Sequence, residues 1–320
     1  MRRGLLPAAL VAALLAFHAA AADYPSRPIR VIVPFTVGSA TDIIARLVAP
    51  KLAESWGQAV IVDNRPGAGG IAAGTIVADS APDGHTLMFT SSGFAGSAAL
   101  YEKLPYDPLG DFSGVTLLAL TPLVLVTAPA AGPKSVTELI AAARQKPGQA
   151  TIGSAGIGSG TYFAGELFNL AAGIRAAHVP YGGSQDAING LVSGRIHYFI
   201  SPVLPAVSQI RSGRVRALGV TSSRRLPMLP DVPTIAEAAI PHFEYEGWSG
   251  VFVASGTPRL IVNHVSREVG RSLLLPDVHD PIASTGTLLR PTTPEELDRK
   301  VREEIALRAK IFKASGAKAE

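Results

Sequence analysis

Hydrophobic and polar positions alternate along the chain in one repeated pattern: a short β-branched run, a turn rich in glycine or serine, and an amphipathic stretch. Residues 29–35 form the first apolar run, and residues 41–55 then place Ile44 and Val48 on one helical face. Pro50 lies late in this helix and predicts that the helix is kinked or shortened. The alternation predicts an α/β fold. Further strands are predicted at 59–62, 86–90, 151–154, 176–179, 195–200 and 215–221, and further helices at 71–80, 135–145, 161–170, 185–193, 260–275 and 294–312.

Two apolar segments predict crossings between two sheets. Residues 116–127 are apolar apart from Thr121-Pro122 in the middle, which predicts one strand that leaves a sheet and a second that enters another. Residues 248–254 predict a strand that returns the chain to the first sheet. Two such crossovers form a hinge between two lobes. The expected division is lobe 1 at 23–121 plus 249–320 and lobe 2 at 122–248.

The N-terminus has the pattern of a secretory signal peptide. Arg2 and Arg3 precede an apolar stretch at 5–17, and four alanines then lead to Asp23. The apolar core is too short to cross a bilayer, and the small residues fit a cleavage site after Ala22. We therefore predict a signal peptide at 1–22 and a periplasmic location, with a membrane anchor as the alternative.

Composition excludes several functional classes. The chain has no cysteine, which removes thiol catalysis and thiolate metal sites. Its net charge is +4, but lysine and arginine are scattered singly, so nucleic-acid binding is not expected. The histidines show no metal-binding spacing, and we expect neither a metal nor a cofactor.

Two strand-to-helix turns, one in each expected lobe, are the candidate ligand site. Unpaired amides at helix N-termini carry partial positive charge and favour small anions. Neither turn contains lysine or arginine, so amides, hydroxyls and bridging water would hold the ligand. Ser39 is explained equally well as a cap of the first helix, and Tyr162 and Phe35 are either core aromatics or a lid over the cleft. The candidate residues are Phe35, Gly38, Ser39, Ala40 and Thr41 in the first turn and Ser154, Ala155, Gly156, Ser159, Thr161 and Tyr162 in the second.

The main enzymatic alternative is a dinucleotide-dependent oxidoreductase that uses the glycine turn at 67–70. The strand that follows ends in Ser91-Ser92 and lacks the acidic residue that would bind a ribose. A serine hydrolase is disfavoured because Ser159 does not have the Gly-x-Ser-x-Gly spacing. The residues therefore favour binding without chemistry.

The whole mature chain resembles the extracytoplasmic solute receptors of tripartite tricarboxylate transporters, known as Bug or TctC-like proteins. The resemblance implies a type II periplasmic-binding-protein fold with two β crossovers and a small organic carboxylate held between two lobes. It also implies delivery to membrane subunits of a transporter, and we expect a monomer. The matching stretches are YPSRPIRVIVPF, GSATDIIAR, VIVDNRPGAGG, APDGHTL, LPYDPLGDF, GSAGIGSGTYFAGELF, HVPYGGSQDAI, RALGVTSSRRLPMLPDVPTIAE and TPEEL.

In this family the turns at 35–41 and 154–161 grip one carboxylate through amides and ordered water. Other loops line the remainder of the site and select the ligand. The resemblance places Ser91, Ser92, Gly93, Tyr181, Gly182 and Ser201 in these loops.

Several positions depart from the family pattern. Thr36 stands where proline is common, and Ser39 and Ala40 replace a glycine-rich pair. Gly182 stands where lysine is frequent, and Tyr162 stands where many family members have histidine. The identity of the carboxylate therefore does not follow from the family. Ser201-Pro202 replaces an Asp-Asn pair, which disfavours a ligand with a free ammonium group.

Overall fold

The computed structural model describes residues 24–129 and 132–316. The predicted signal peptide at 1–22 lies outside the described residues. No helix in the described part of the chain is both long and apolar enough to cross a membrane. The strands are β1 (Ile29–Val33), β2 (Val60–Asn64), β3 (Thr86–Ser91), β4 (Phe112–Thr127), β5 (Ala150–Ser154), β6 (Ala176–Pro180), β7 (Tyr198–Pro202), β8 (Arg216–Val220), β9 (Glu246–Ala254) and β10 (Leu288–Leu289).

The helices alternate with the strands as the sequence pattern predicts, but those at Val203–Arg211, Ile235–Ala238 and Pro276–Ala283 are not among the predicted helices. A short 3₁₀ helix at Ala68–Gly70 precedes α2. The helices are α1 (Ala40–Trp56), α2 (Ile71–Ala78), α3 (Gly93–Leu100), α4 (Val136–Gln145), α5 (Gly160–Ala172), α6 (Ser184–Val192), α7 (Val203–Arg211), α8 (Ile235–Ala238), α9 (Arg259–Leu273), α10 (Pro276–Ala283) and α11 (Pro294–Ser315).

The strands form one curled sheet with two halves. Its order is β2-β1-β3-β9-β4-β7-β5-β6, and β8 and β10 also pair with β4. Strands β1, β2 and β3 are parallel in the first half, and β5, β6 and β7 are parallel in the second. We call these the first half and the second half, each with the helices that pack on its strands. The carboxyl ends of both parallel sets face the space between the halves.

Strand β4 joins the two halves as a single strand. Its residues 112–122 pair with β9, and its residues 123–127 pair with β7 and β8. The expectation of two separate strands at 116–127 is therefore wrong. Pro122 lies at the point where the partner of β4 changes from β9 to β7. Its missing N–H therefore falls at the end of one hydrogen-bond ladder and not in the middle of either.

Each half has its own apolar core. In the first half, Val31, Val33 and Phe89 pack with helices α1 and α9. In the second half, Phe168, Tyr198 and other side chains of α5 and β7 form the equivalent cluster. Burial on both faces of the strands explains why they are nearly continuous apolar runs in the sequence.

Two helix predictions are corrected by the structure. Pro50 does not shorten α1, which continues to Trp56 and ends at Gly57 in the left-handed conformation. Ile44 and Val48 are fully buried on this helix, and their packing offsets the hydrogen bond that Pro50 removes. The helix predicted at 260–275 ends at Leu273, and Pro276 begins a second helix that the pattern did not predict.

Candidate functional site

A cleft lies between the two halves of the sheet. It encloses about 520 Å³ of atom-free space, including its part open to solvent. Among the residues that the structure describes, no lysine, arginine, histidine, aspartate or glutamate lines it. The lining residues are Phe35, Ser39, Ala40, Thr41, Ser91, Ser92, Thr121, Leu123, Ala155, Ser159, Gly160, Thr161, Ser184, Pro202, Tyr245, Gly247, Trp248 and Ser249.

Helix N-termini from both halves meet at this uncharged cleft. In the first half, α1 and α3 begin at its wall, and in the second half α5, α6 and α7 begin there. Each N-terminus presents amides without an intrahelical partner and a partial positive charge. Their convergence makes the cleft suitable for an anion although no cationic side chain lines it.

The first turn leaves its donors free toward the cleft. Ser39 has the backbone conformation of an N-cap, but its side chain makes no capping hydrogen bond. Its Oγ is buried and has no partner among the described residues. The amides of Ala40 and Thr41 also have no partner in the part of the chain described here. The alternative explanation of Ser39 as a helix cap is therefore wrong.

Asp42 holds the backbone of the first turn in place. Its carboxylate accepts a 2.9 Å hydrogen bond from the Gly38 amide and is paired with Arg46. Asn64 donates to Asp42 and also to the carbonyl of Phe35, each over 2.9 Å. The Gly38 amide is thus occupied by Asp42, and the network fixes the path of the turn.

The second turn uses its hydroxyls internally. Ser159 Oγ accepts from the amide of Tyr162 at 3.1 Å and so caps α5. Thr161 Oγ1 accepts from the amide of Ala155 at 2.8 Å, and Ser154 Oγ accepts from the amide of Gly156 at 3.1 Å. The amides of Gly160 and Thr161 remain without partners among the described residues. This half therefore offers main-chain donors on a loop that its own hydroxyls hold rigid.

His178 supports the same turn from outside the cleft. Its Nε2 lies 2.6 Å from Ser154 Oγ, and its ring packs on Tyr162 with centroids 4.6 Å apart. Burial lowers the pKa of His178 to about 4, because desolvation penalises the charged ring. The imidazole is therefore neutral at pH 7 and adds no charge to the site.

The structure brings part of the predicted site residues to the cleft wall. They are Phe35, Ser39, Ala40, Thr41, Ser91, Ser92, Ala155, Ser159 and Thr161. The other predicted residues lie outside the wall, namely Gly38, Gly93, Ser154, Gly156, Tyr162, Tyr181, Gly182 and Ser201. Tyr162 belongs to the core of the second half and stacks on Phe312 at 5.9 Å, and the buried Phe35 both lines the cleft and packs in the first core.

Some predicted residues outside the wall lie where the two halves touch. The amide of Thr36 donates to the carbonyl of Gly182 over 3.2 Å. A Cβ at Gly93 would lie 3.0 Å from Ser159 Cα, and one at Gly69 would lie 1.9 Å from the carbonyl oxygen of Ile157. The structure therefore shows the halves in a closed arrangement, with main chain packed against main chain.

Sequence reasoning missed the floor of the cleft. Thr121 and Leu123 come from β4, and Gly247, Trp248 and Ser249 come from β9. Both segments coincide with the predicted crossovers, and a strand that passes between two lobes must pass under the cleft between them. The predicted positions of the two crossover strands are therefore the signal that points to these floor residues.

The observed architecture defines the class of protein. An α/β chain with two lobes, two crossing strands and a cleft between the lobes has the type II periplasmic-binding-protein fold. An R. palustris protein solved with adipate has a TM-score of 0.87 at 34% identity, covering 92% of this chain and 98% of that one. MatC from Rhodopseudomonas palustris, solved with bound malate, has a TM-score of 0.86 at 36% identity, covering 90% and 99%. The predicted fold class is confirmed.

Sequence comparison identifies the family. The model described as "Tripartite tricarboxylate transporter family receptor" matches residues 44–316. Protein BugT of Bordetella pertussis is 36% identical over 306 residues, which are 95% of this chain and 94% of BugT. The chain belongs to this family of solute-binding receptors, and the resemblance to Bug proteins is confirmed.

The alternative of a dinucleotide-dependent oxidoreductase receives no support. The turn at 67–70 packs against Ile157 of the second half and does not line the cleft. Within the described ranges, no three histidine, aspartate or glutamate side chains are grouped so that they would hold a metal ion.

Proposed function

We propose that the protein captures a small carboxylate in the cleft, encloses it by closure of the two lobes, and releases it unchanged. The observation that carries this proposal is the pairing of free amides at α1 and α5, one set from each lobe, in a cleft without charged side chains. A carboxylate would accept hydrogen bonds from both sets, so its binding would favour the closed arrangement.

The lobes follow the two crossing strands. We assign residues 23–121 and 249–320 to lobe 1 and residues 122–248 to lobe 2, because β4 changes its partners after Pro122 and β9 passes back beside it. With this division, the amides of Ala40 and Thr41 belong to lobe 1 and those of Gly160 and Thr161 to lobe 2.

The wall of the cleft restricts the ligand. The described part of the chain places no acidic side chain in the wall to pair with an ammonium group, which disfavours amino acids. The structures with adipate and malate show that relatives with this fold bind carboxylates without an ammonium group. We infer a carboxylic acid of this general kind, received in the periplasm and passed to the membrane subunits of a transporter, with the receptor acting as a monomer and without catalysis.

Native mass spectrometry of the freshly purified protein tests this function. We expect an acid of low mass to co-purify, and a thermal-shift screen should show saturable stabilisation by the same acid. The acid should be recovered unchanged after incubation. Recovery of a chemically altered product would show an enzyme, and stabilisation by amines or sugars with no response to any carboxylate would overturn the proposal.

A further inference from the structure

Arg308 is a buried cation directly behind the cleft. It lies on α11 with no exposed surface, and its guanidinium carbon is 4.1 Å from the ring centroid of Phe163. Its Nε donates to Glu304 over 2.7 Å and its Nη2 donates to the hydroxyl of Tyr245 over 3.0 Å. Its Nη1 is buried and has no hydrogen-bond partner among the described residues.

The charge of Arg308 is only partly balanced. Glu304 is shared between Arg308 and Lys300, whose Nζ lies 3.4 Å from the other carboxylate oxygen. The cluster therefore holds two positive charges and one negative charge. Burying a guanidinium is costly even beside a carboxylate that it shares with a second cation, which calls for an explanation of why this one stands here.

Tyr245 connects this cation to the cleft. Tyr245 lines the cleft, and its hydroxyl lies 3.3 Å from Ser92 Oγ and donates to the carbonyl of Gly160 over 3.3 Å. Arg308 can only donate, so the Tyr245 oxygen accepts from it, and the hydroxyl proton is left for an acceptor, which in this structure is the carbonyl of Gly160. Both present neighbours of the hydroxyl are at the long end of hydrogen-bond distance.

We propose that Arg308 is a positioning residue for carboxylate recognition, acting through Tyr245. This inference rests on the proposed function. Arg308 orients and polarises the Tyr245 hydroxyl as a donor toward the bound carboxylate. It also supplies the net positive charge that the cleft wall lacks. Because the guanidinium is fully buried, its field is weakly screened at the position of the ligand.

A role of Arg308 in carboxylate binding and a purely structural role predict different effects on ligand affinity. If Arg308 serves the carboxylate, its loss weakens binding of the acid more than binding of an uncharged ligand of the same shape. If Arg308 only holds α11 in place, its loss affects both ligands alike. The ratio of the two affinities is therefore the informative readout.

The experiment measures binding of three probe pairs by calorimetry: adipate with adipamide, malate with malamide, and benzoate with benzamide. The variants are Arg308→Met, Arg308→Lys and Tyr245→Phe, with Arg299→Met as the control because it removes an exposed positive charge from the same helix. Arg308→Met combined with Glu304→Gln avoids leaving the glutamate unpaired. Tyr245→Phe keeps Arg308 in place and preserves a readout if the Arg308 variants fold poorly.

We expect Arg308→Met and Tyr245→Phe each to lower the acid-to-amide affinity ratio by about tenfold, and the variant that combines Arg308→Met with Tyr245→Phe to lower it no further. Arg308→Lys should restore part of the ratio, and Arg299→Met should leave it unchanged. An unchanged ratio in Arg308→Met and Tyr245→Phe, with acid binding intact in the wild type, would overturn this inference alone. Failure of the wild type to bind any of the three acids would instead count against the proposed function and the inference together.

Discussion

The main-chain amide of Thr36 donates a 3.2 Å hydrogen bond to the carbonyl of Gly182 across the cleft. The next residue, Gly183, has an extended backbone that any residue adopts, with φ at −177°. A Cβ at Gly183 would nevertheless lie 2.3 Å from Thr36 Oγ1 and 3.1 Å from the Thr36 amide nitrogen. The closed arrangement therefore requires the absence of a side chain at this point of contact between lobes.

Gly183→Ala is expected to hold the lobes apart. The added methyl group fits the open protein but clashes with Thr36 on closure, so a smaller fraction of the protein can close. We expect the affinity for the ligand to fall by about tenfold, in proportion to that fraction. Small-angle scattering with saturating ligand should give a larger radius of gyration for the variant than for the wild type.

Two controls make this prediction specific. Thr36→Ala removes the hydroxyl from the contact, so the double variant should recover most of the lost affinity. Gly194→Ala places a methyl group at a left-handed φ of 74° with no atom within 4 Å, so it should cost about 1 kcal/mol of stability without changing closure. Equal scattering curves for Gly183→Ala and the wild type would contradict the steric argument.

Ser39 and Ser159 occupy equivalent N-cap positions but should respond differently to alanine. Both residues line the cleft, but Ser159 Oγ accepts from the Tyr162 amide, whereas Ser39 Oγ makes no capping bond. We expect Ser159→Ala to lower the free energy of unfolding by about 1 kcal/mol. Ser39→Ala should leave stability nearly unchanged and weaken ligand binding by about 0.5–1.5 kcal/mol.

Urea unfolding and calorimetric titration of both variants test this contrast. Both proteins should be compared without ligand for stability, since bound ligand would stabilise the folded state and hide the difference. A large loss of stability in Ser39→Ala would mean that its hydroxyl is a structural group after all.

Much of this architecture could be predicted from the sequence, for identifiable reasons. Strands buried on both faces are nearly continuous apolar runs, so β1 and β3 are visible in the sequence. The two candidate turns are visible because glycine and serine interrupt the pattern where strand changes to helix. The floor of the cleft is harder, since Trp248 and Ser249 lie within a strand and nothing local distinguishes them from core residues.

Other features depend on contacts between distant residues. Ser39 and Asp42 have the spacing of a cap and its partner, and only the structure shows that Asp42 bonds to Gly38 while Ser39 stays free. Arg308 stands in a charged amphipathic helix among exposed residues. Arg308 is buried because α11 packs on Phe163 of the other lobe. The local sequence around Arg308 does not predict this contact.

Asn64→Ala is expected to weaken ligand binding although Asn64 does not line the cleft. Its amide nitrogen holds both Asp42 and the carbonyl of Phe35, so its loss frees the first turn. We expect a loss of about 1–2 kcal/mol in binding free energy, because the turn must then be ordered by the ligand itself. Calorimetry measures this loss directly.

Arg46→Ala is the matched comparison for Asn64. Arg46 also contacts the buried Asp42, but the Arg46 side chain is 47% exposed, and Asp42 keeps its hydrogen bonds from Gly38 and Asn64 when Arg46 is lost. Its replacement should change binding by less than about 0.5 kcal/mol. If Arg46→Ala proved as damaging as Asn64→Ala, charge neutralisation of Asp42 and not the anchoring of the turn would be the important factor.

His178 should make stability depend on pH under mildly acidic conditions. Its pKa in the folded protein is lowered to about 4 by burial, whereas in the unfolded chain it has the ordinary value of 6.5. Between these values the unfolded chain binds a proton that the folded protein does not bind. The free energy of unfolding therefore falls as pH decreases from 6.5 to 4 and is not affected by this group above 6.5.

Because His178 is partly exposed, solvent screening reduces this effect to about 1–2 kcal/mol. Urea unfolding at several pH values should show the decrease in the wild type and a flatter dependence in His178→Asn. His279→Asn, in which an exposed imidazole is lost, should keep the wild-type dependence. A pH dependence in His178→Asn as steep as in the wild type would mean that other groups, such as the half-buried Glu166 whose pKa is raised by desolvation, control acid unfolding.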